Sequence, residues 1–66
     1  MKLKEMILYD IELFQKECKE PDHSDYMMFV DFIIKNYQIP HEEVLNIKLY
    51  LEKCMKSWLK KHEIAL

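Results

Sequence analysis

The sequence predicts an all-α fold: a small up-down-up arrangement of three helices over residues 2–18, 25–37 and 40–62, forming one domain, 1–66, that assembles as a homodimer. Three observations carry that expectation. Apolar residues recur three and four positions apart in three separate segments, the spacing that returns side chains to one face of a helix. Of the two prolines, Pro21 falls between the first two segments and Pro40 opens the third. Half of the 66 residues are apolar, at 50%, more than so short a chain needs for one core, and the surplus points to apolar surface buried between chains.

The first segment repeats Leu3, Met6, Ile7, Ile11, Leu13, Phe14 and Cys18 on one arc, with Glu5, Glu12, Lys16 and Lys19 opposite. Asp10 breaks the pattern, because it projects between Met6, Leu13 and Phe14. It reads either as a rim residue reaching water or as a carboxylate held in an apolar setting for a functional role. Pro21 stops this helix, and Asp22 or Ser24 can cap the next.

The second segment is apolar nearly all round. Tyr26, Phe29, Val30, Ile33, Ile34 and Tyr37 form its main face, while Met28 and Phe32 point elsewhere, beside Asp31 and Lys35. A helix of this kind sits between neighbours, which leaves Met28 and Phe32 exposed or against a second chain. The short link from Asn36 to Ile39 makes the following helix an antiparallel neighbour.

The third segment has the strongest signals. Pro40 suits the first helical position. Glu42 and Glu43 lie at the positive end of the helix dipole, and Lys53, Lys56, Lys60 and Lys61 gather towards the negative end. Val44, Ile47, Leu51, Cys54 and Trp58 step by three and four as a seam. Leu45, Leu49 and Leu59 form a second apolar line beside it, interrupted by Lys48, Glu52 and Lys56. At about 1.5 Å per residue this helix would span about 34 Å against about 20 Å for the second. Trp58 and Leu59, followed by Ile64 and Leu66, are therefore expected to overhang, covered by the same helix of another copy packed about a two-fold axis.

Composition excludes several function classes. All ten basic residues are Lys, and Gly is absent. Without Arg the chain lacks the usual bidentate reader of guanine and phosphate. Without Gly it has no phosphate-cradling loop, nucleophile elbow or dinucleotide fingerprint. Ser24 and Ser57 lie in no nucleophile motif, so an enzyme is not expected. The Lys-, Ile- and Tyr-rich composition fits an AT-rich bacterial or phage genome. Lys2, Lys4 and Glu5 break up the N-terminus, and no apolar run reaches the ~18 residues of a membrane span, so a cytoplasmic location and no membrane partner are expected.

Cys18 and Cys54 come out at similar height in an up-down-up arrangement, and a cytosolic setting favours two small buried hydrophobes over a disulfide. His23 and His62 map to the same end. No local Cys or His pair with ligand spacing accompanies them, so neither a metal nor another cofactor is expected. His41 belongs at the opposite end, in solvent. Nucleic acid is disfavoured as a partner, since Glu42 and Glu43 stand where a recognition helix would meet phosphate. A small DNA-binding regulator using Lys53, Lys56 and Lys60 is kept as an alternative.

The residues Ile39, Pro40, His41, Glu42, Glu43, Val44 and Leu45, continuing to Leu51, Glu52, Lys53 and Trp58, resemble the second helix of the small aspartyl-phosphate phosphatases of sporulation control. That family is built on two antiparallel helices and dephosphorylates a response regulator of the phosphorelay. Its Ser-Gln-Glu-Leu-Asp stretch falls on residues 48–52, where Leu51 matches and Glu52 replaces the acid. The resemblance implies Glu52 as the functional carboxylate, in a chain that has an additional N-terminal helix and lacks the Ser and Gln.

The leading expectation is a small regulatory or inhibitory protein that binds another protein and itself. Large apolar and aromatic side chains dominate interface energetics, which selects Met28, Phe32, Tyr50, Met55, Trp58 and Leu59 as partner-binding residues. Asp10 and Glu52 are the candidate acidic functional residues.

Overall fold

The structure is a computed structural model that describes residues 2–64. It contains α1 (Leu3–Glu17), α2 (His23–Asn36) and α3 (Val44–Lys61), with a single 3-10 turn at His41–Glu43 leading into α3. The described residues include no strand, and none of their helices is long and apolar enough to cross a membrane.

Cross-helix contacts define the topology. Moving up α1, Asp10 meets Tyr37, Phe14 meets Phe29 and Cys18 meets Asp25, so α1 and α2 run antiparallel. Lys4 lies over the Tyr50 ring and Phe14 meets Trp58, so α1 and α3 run parallel. This is the up-down-up arrangement.

Three of the helix ends have a clear local cause. Asp22 caps α2 in a reciprocal capping box: the Asp25 N–H donates to Asp22 Oδ1 at 2.8 Å, and the Asp22 N–H donates to Asp25 Oδ2 at 3.1 Å. Both bonds satisfy N–H groups that the helix start leaves open, which moves the α2 start two residues earlier than the sequence pattern indicates. At the other end, Gln38 adopts a left-handed φ of 50°. The Gln38 N–H donates to the Lys35 carbonyl at 3.3 Å, and the Ile39 N–H to the Ile34 carbonyl at 3.0 Å. The end of α3 repeats this with Glu63 at φ 56°, Glu63 N–H to Lys60 at 3.1 Å and Ile64 N–H to Leu59 at 2.9 Å. Both are Schellman endings, and both turn the chain so that an isoleucine folds back under the helix. Ile39 and Ile64 are accordingly buried.

The core joins Ile7 and Ile11 of α1, Tyr26, Phe29, Val30 and Ile33 of α2, and Ile47, Leu51, Met55 and Leu59 of α3. Fully burying a side chain such as Leu51 contributes about 1.5–3 kcal/mol. The α2 face is the one its spacing predicts. The α3 face is rotated from the expected seam: Ile47, Leu51, Met55 and Leu59 are the buried residues, and Cys54 faces outward. Steps of four residues advance 400° around a helix with 3.6 residues per turn, so this row sweeps gradually across the surface. A helix wedged between two neighbours needs that broad arc instead of a narrow coiled-coil seam.

The expected overhang of the third helix is likewise corrected. Its first turn is the 3-10 segment, with Pro40 just before it and not inside the α-helix, so α3 has 18 residues. Phe14 of α1 meets Trp58 edge-on, with ring centroids 5.3 Å apart, and His62 meets the same indole at 5.0 Å. Leu59 is fully covered from within the chain. The end of α1 and the backward turn at Glu63 thus supply the cover expected from a second copy; Leu66, named in the same expectation, lies outside the described residues.

Candidate functional site

Of the six residues selected for partner binding, Met55 and Leu59 are 0% and 1% exposed. They are core residues, because the rotated α3 face turns them inward, and they cannot line an outer surface. Tyr50 and Trp58 are half-buried against the core. Burial and the neighbouring Cys54 thiol push the Tyr50 hydroxyl pKa up, and Lys4 Nζ sits 5.3 Å from the ring centroid. Met28 and Phe32 are different: they are 70% and 50% exposed.

Phe32 borders a solvent-open groove of about 210 Å³ between α1 and α2, lined also by Asp10, Leu13, Phe14, Glu17 and Phe29. Its floor is the stacked pair Phe14 and Phe29, with centroids 4.4 Å apart and planes 10° apart. On α1, Tyr9 and Leu13 stand one turn apart, both exposed, and share a shallow depression with Glu12 and Lys16. On α2, Met28 and Phe32 also stand one turn apart. Leu13 of the first pair and Phe32 of the second line the groove over its aromatic floor, with Tyr9 and Met28 one turn away on their own helices. Sequence reasoning missed Tyr9 and Glu17 altogether and assigned Leu13 to the α1 core arc; the available signal was the matching one-turn spacing of the two pairs.

Asp10 lies at the edge of this groove. The Tyr37 hydroxyl, at the end of α2, donates a hydrogen bond to Asp10 Oδ2. That bond is the leading reason the Tyr37 pKa is raised, followed by burial and the Asp10 charge. Asp10 is thus a half-buried carboxylate with a phenolic donor, tying the middle of α1 to the end of α2, and the apolar surroundings seen in the sequence are only part of its setting.

Glu52 stands apart from the groove, half-buried on α3, beside a shallow depression with Leu49, Lys53 and Lys56. Its charge adds to burial in raising the Tyr26 hydroxyl pKa. The residues 48–52 therefore contribute one core side chain, Leu51, and one edge carboxylate.

Both cysteines are free. Cys18 Sγ lies 3.9 Å from Asp25 Oδ2, and burial together with the charges of Asp25 and Asp22 raises its pKa. Cys54 is exposed, a correction to the expectation that both thiols are buried. Among the described residues no group of three or more His, Cys, Asp or Glu side chains is placed to hold a metal ion. His41 lies in the exposed 3-10 turn. No protein-family model, curated protein or solved structure matches this chain.

Proposed function

We propose that this chain is a small regulatory or inhibitory protein that acts by binding another protein chain through the α1–α2 groove, and that it self-associates. The observation that carries the proposal is the exposure of Phe32 over the Phe14–Phe29 floor, with Met28 exposed one turn away on the same helix. Large apolar side chains grouped around a preformed concavity are characteristic of interaction sites, and burying them against a partner recovers the hydrophobic free energy lost to water. Self-association uses the α1–α2 groove and not the Trp58 end of α3, whose Leu59 is a core residue. Two free thiols, one of them exposed, suit a reducing compartment such as the cytosol.

The test is site-specific photocross-linking. A benzophenone side chain replacing Met28 is expected to give discrete adducts in extract of the source cells, whereas the same group replacing Lys19 gives none. Adding Phe32→Glu to the Met28 probe protein should remove those adducts while leaving its helical circular dichroism intact. Adducts of equal yield from both probe positions, or adducts insensitive to Phe32→Glu, would overturn the proposal.

A further inference from the structure

We infer that the occupant of the α1–α2 groove is the outer flank of α3 from a second copy of this chain, so that the protein associates head to tail. The inference rests on the protein-binding reading of the groove and names its partner.

Charge is divided unevenly over the fold. Within α1 and α2 the carboxylates are Glu5, Asp10, Glu12, Glu17, Asp25 and Asp31, set against Lys4, Lys16 and Lys35, a net −3. Within α3 the order is reversed: Lys48, Lys53, Lys56, Lys60 and Lys61 against Glu52 alone, a net +4. An acidic two-helix side and a basic third helix make a molecule whose opposite faces attract each other. Two grooves facing one another about a two-fold axis would instead bring Asp10 and Glu17 against the same residues of the partner, which costs free energy.

The α3 flank also has the apolar part the groove requires. Leu45, Leu49, Lys53, Lys56 and Lys60 follow one another by four, four, three and four residues, which keeps them on one side of the helix. All five are exposed, and the two leucines are among the large apolar side chains left in water. Leu49 thus stands to α3 as Phe32 stands to α2: an exposed hydrophobe one turn from a second. With Leu49 seated between Leu13 and Phe32, Lys53 lies about 6 Å further along the helix axis. Glu17 lies about the same distance from Leu13 along α1. The lysine therefore arrives at the Glu17 end of the groove as the leucine enters its apolar middle, with Glu52 towards the core side of the flank. Fit and charge select the same pairing.

This pairing uses two different surfaces of each copy, so every bound molecule still offers one free groove and one free flank. Such an interface builds open chains or closed rings, not a two-fold dimer. The whole chain exposes 5177 Å². An interface of ordinary size takes about 800 Å² per partner, and this groove spans only two helical turns, so the association is expected to be weak and to require a high protein concentration.

The experiment is sedimentation velocity on the full chain and on two variants, each with one face disabled. Phe32→Glu spoils the groove, and Leu49→Glu spoils the flank. Wild type should grow with concentration beyond a dimer, and raising the salt from low to physiological strength should weaken growth about tenfold. Each variant alone should be monomeric. Mixed one to one, they should form a heterodimer and nothing larger, because the mixture retains one good groove and one good flank. If either variant loses its helical circular dichroism, Phe32→Ser and Leu49→Ser serve the same purpose without the added charge.

A discrete dimer lost with Phe32→Glu but kept with Leu49→Glu would overturn the head-to-tail pairing in favour of two grooves face to face. Wild-type protein that stays monomeric at millimolar concentration and low salt would overturn it too. Adducts of the Met28 probe with a foreign protein would then show that the groove reading survives and only its second-copy occupant fails.

Discussion

The Tyr37 hydroxyl donates to the Asp10 carboxylate across the α1–α2 interface, linking residues 27 positions apart in the sequence. The bond does two things. It gives a partner to a carboxylate that interrupts the apolar arc of α1, and it fixes the end of α2 against the middle of α1 at the rim of the candidate groove. A hydrogen bond to a charged group contributes about 1.5–3 kcal/mol where water is excluded, and this pair is only partly buried, so about 1 kcal/mol is expected. Tyr37→Phe and Asp10→Asn should each destabilise the fold by about that amount, and the double variant by much less than twice as much. Urea denaturation of the four proteins measures the coupling; fully additive losses would show that the bond contributes nothing.

The same bond has an alkaline consequence. Tyr37, Tyr26 and Tyr50 all have hydroxyl pKa values raised above the ordinary tyrosine value: Tyr37 first through its bond to Asp10, Tyr26 and Tyr50 first through burial. A pKa higher in the folded than in the unfolded state means that the unfolded chain gives up the proton more readily. The stabilisation is complete below the unfolded pKa of about 10 and is lost as pH rises through the folded values. The tyrosine contribution to the unfolding free energy should therefore be flat up to about pH 9 and fall above about pH 10. The raised Cys18 thiol adds a fall that begins near the free-thiol value of about 8.5. Tyr37→Phe should reduce the steepness of the tyrosine fall. An unchanged slope in this variant would separate Tyr37 from the effect.

Phe14 is the residue on which the three helices converge: it stacks on Phe29 of α2 and meets Trp58 of α3 edge-on. Phe14→Ala should cost about 2–3 kcal/mol, somewhat below the range for a fully buried phenylalanine. Because Phe14 covers the indole, the variant should also shift Trp58 fluorescence to the red, whereas Met28→Ala, on the exposed row, should leave the emission unchanged. Equal emission from both variants would mean that Trp58 is covered by something other than Phe14.

These pairs show what the sequence reveals and what it conceals. The apolar face of α2 is legible because Tyr26, Phe29, Val30 and Ile33 lie on one arc and all are buried. On α3, Leu45, Leu49, Met55 and Leu59 surround the arc, and periodicity alone cannot tell which of them turns inward. The neighbours decide: Phe14 meets Trp58, Met55 becomes core, and Cys54 goes to water. Asp10 is visible in the sequence as an anomaly, but its partner is not, since no local pattern connects Asp10 with Tyr37. The groove is concealed for the same reason, because its two walls come from different helices.

Cysteine reactivity separates the two thiols. Cys54 is exposed, while the Cys18 pKa is raised by burial and by the nearby carboxylates of Asp25 and Asp22. The thiolate is the reacting form, so near neutral pH Cys18 has less of it than an ordinary cysteine. Native protein treated with a disulfide reagent should release one equivalent quickly, assigned to Cys54 by its loss in Cys54→Ser, and the second slowly. In denaturant the two rates should converge. Fast reaction of both thiols in native protein would contradict the setting of Cys18.

The helix endings offer a route to a more stable chain. Gln38 and Glu63 occupy the left-handed positions of the two Schellman turns, at φ 50° and 56°, in a sequence that contains no glycine. Side chains with a Cβ bear about 1–2 kcal/mol of strain in that conformation, and glycine bears almost none. Part of the gain is offset because glycine also makes the unfolded chain more flexible. Gln38→Gly and Glu63→Gly are each expected to raise the unfolding free energy by about 0.5–1 kcal/mol, additively, since the turns end different helices and share no hydrogen bond. For a domain of this size, 1 kcal/mol corresponds to a rise in melting temperature of about 4–8 °C. Glycine at Asn36 or Lys61, in the last turn of each helix, should act in the opposite direction, because there the backbone is right-handed and glycine adds only unfolded-state entropy. Destabilisation by Gln38→Gly or Glu63→Gly would show that the side chain, and not the left-handed backbone, determines the turn.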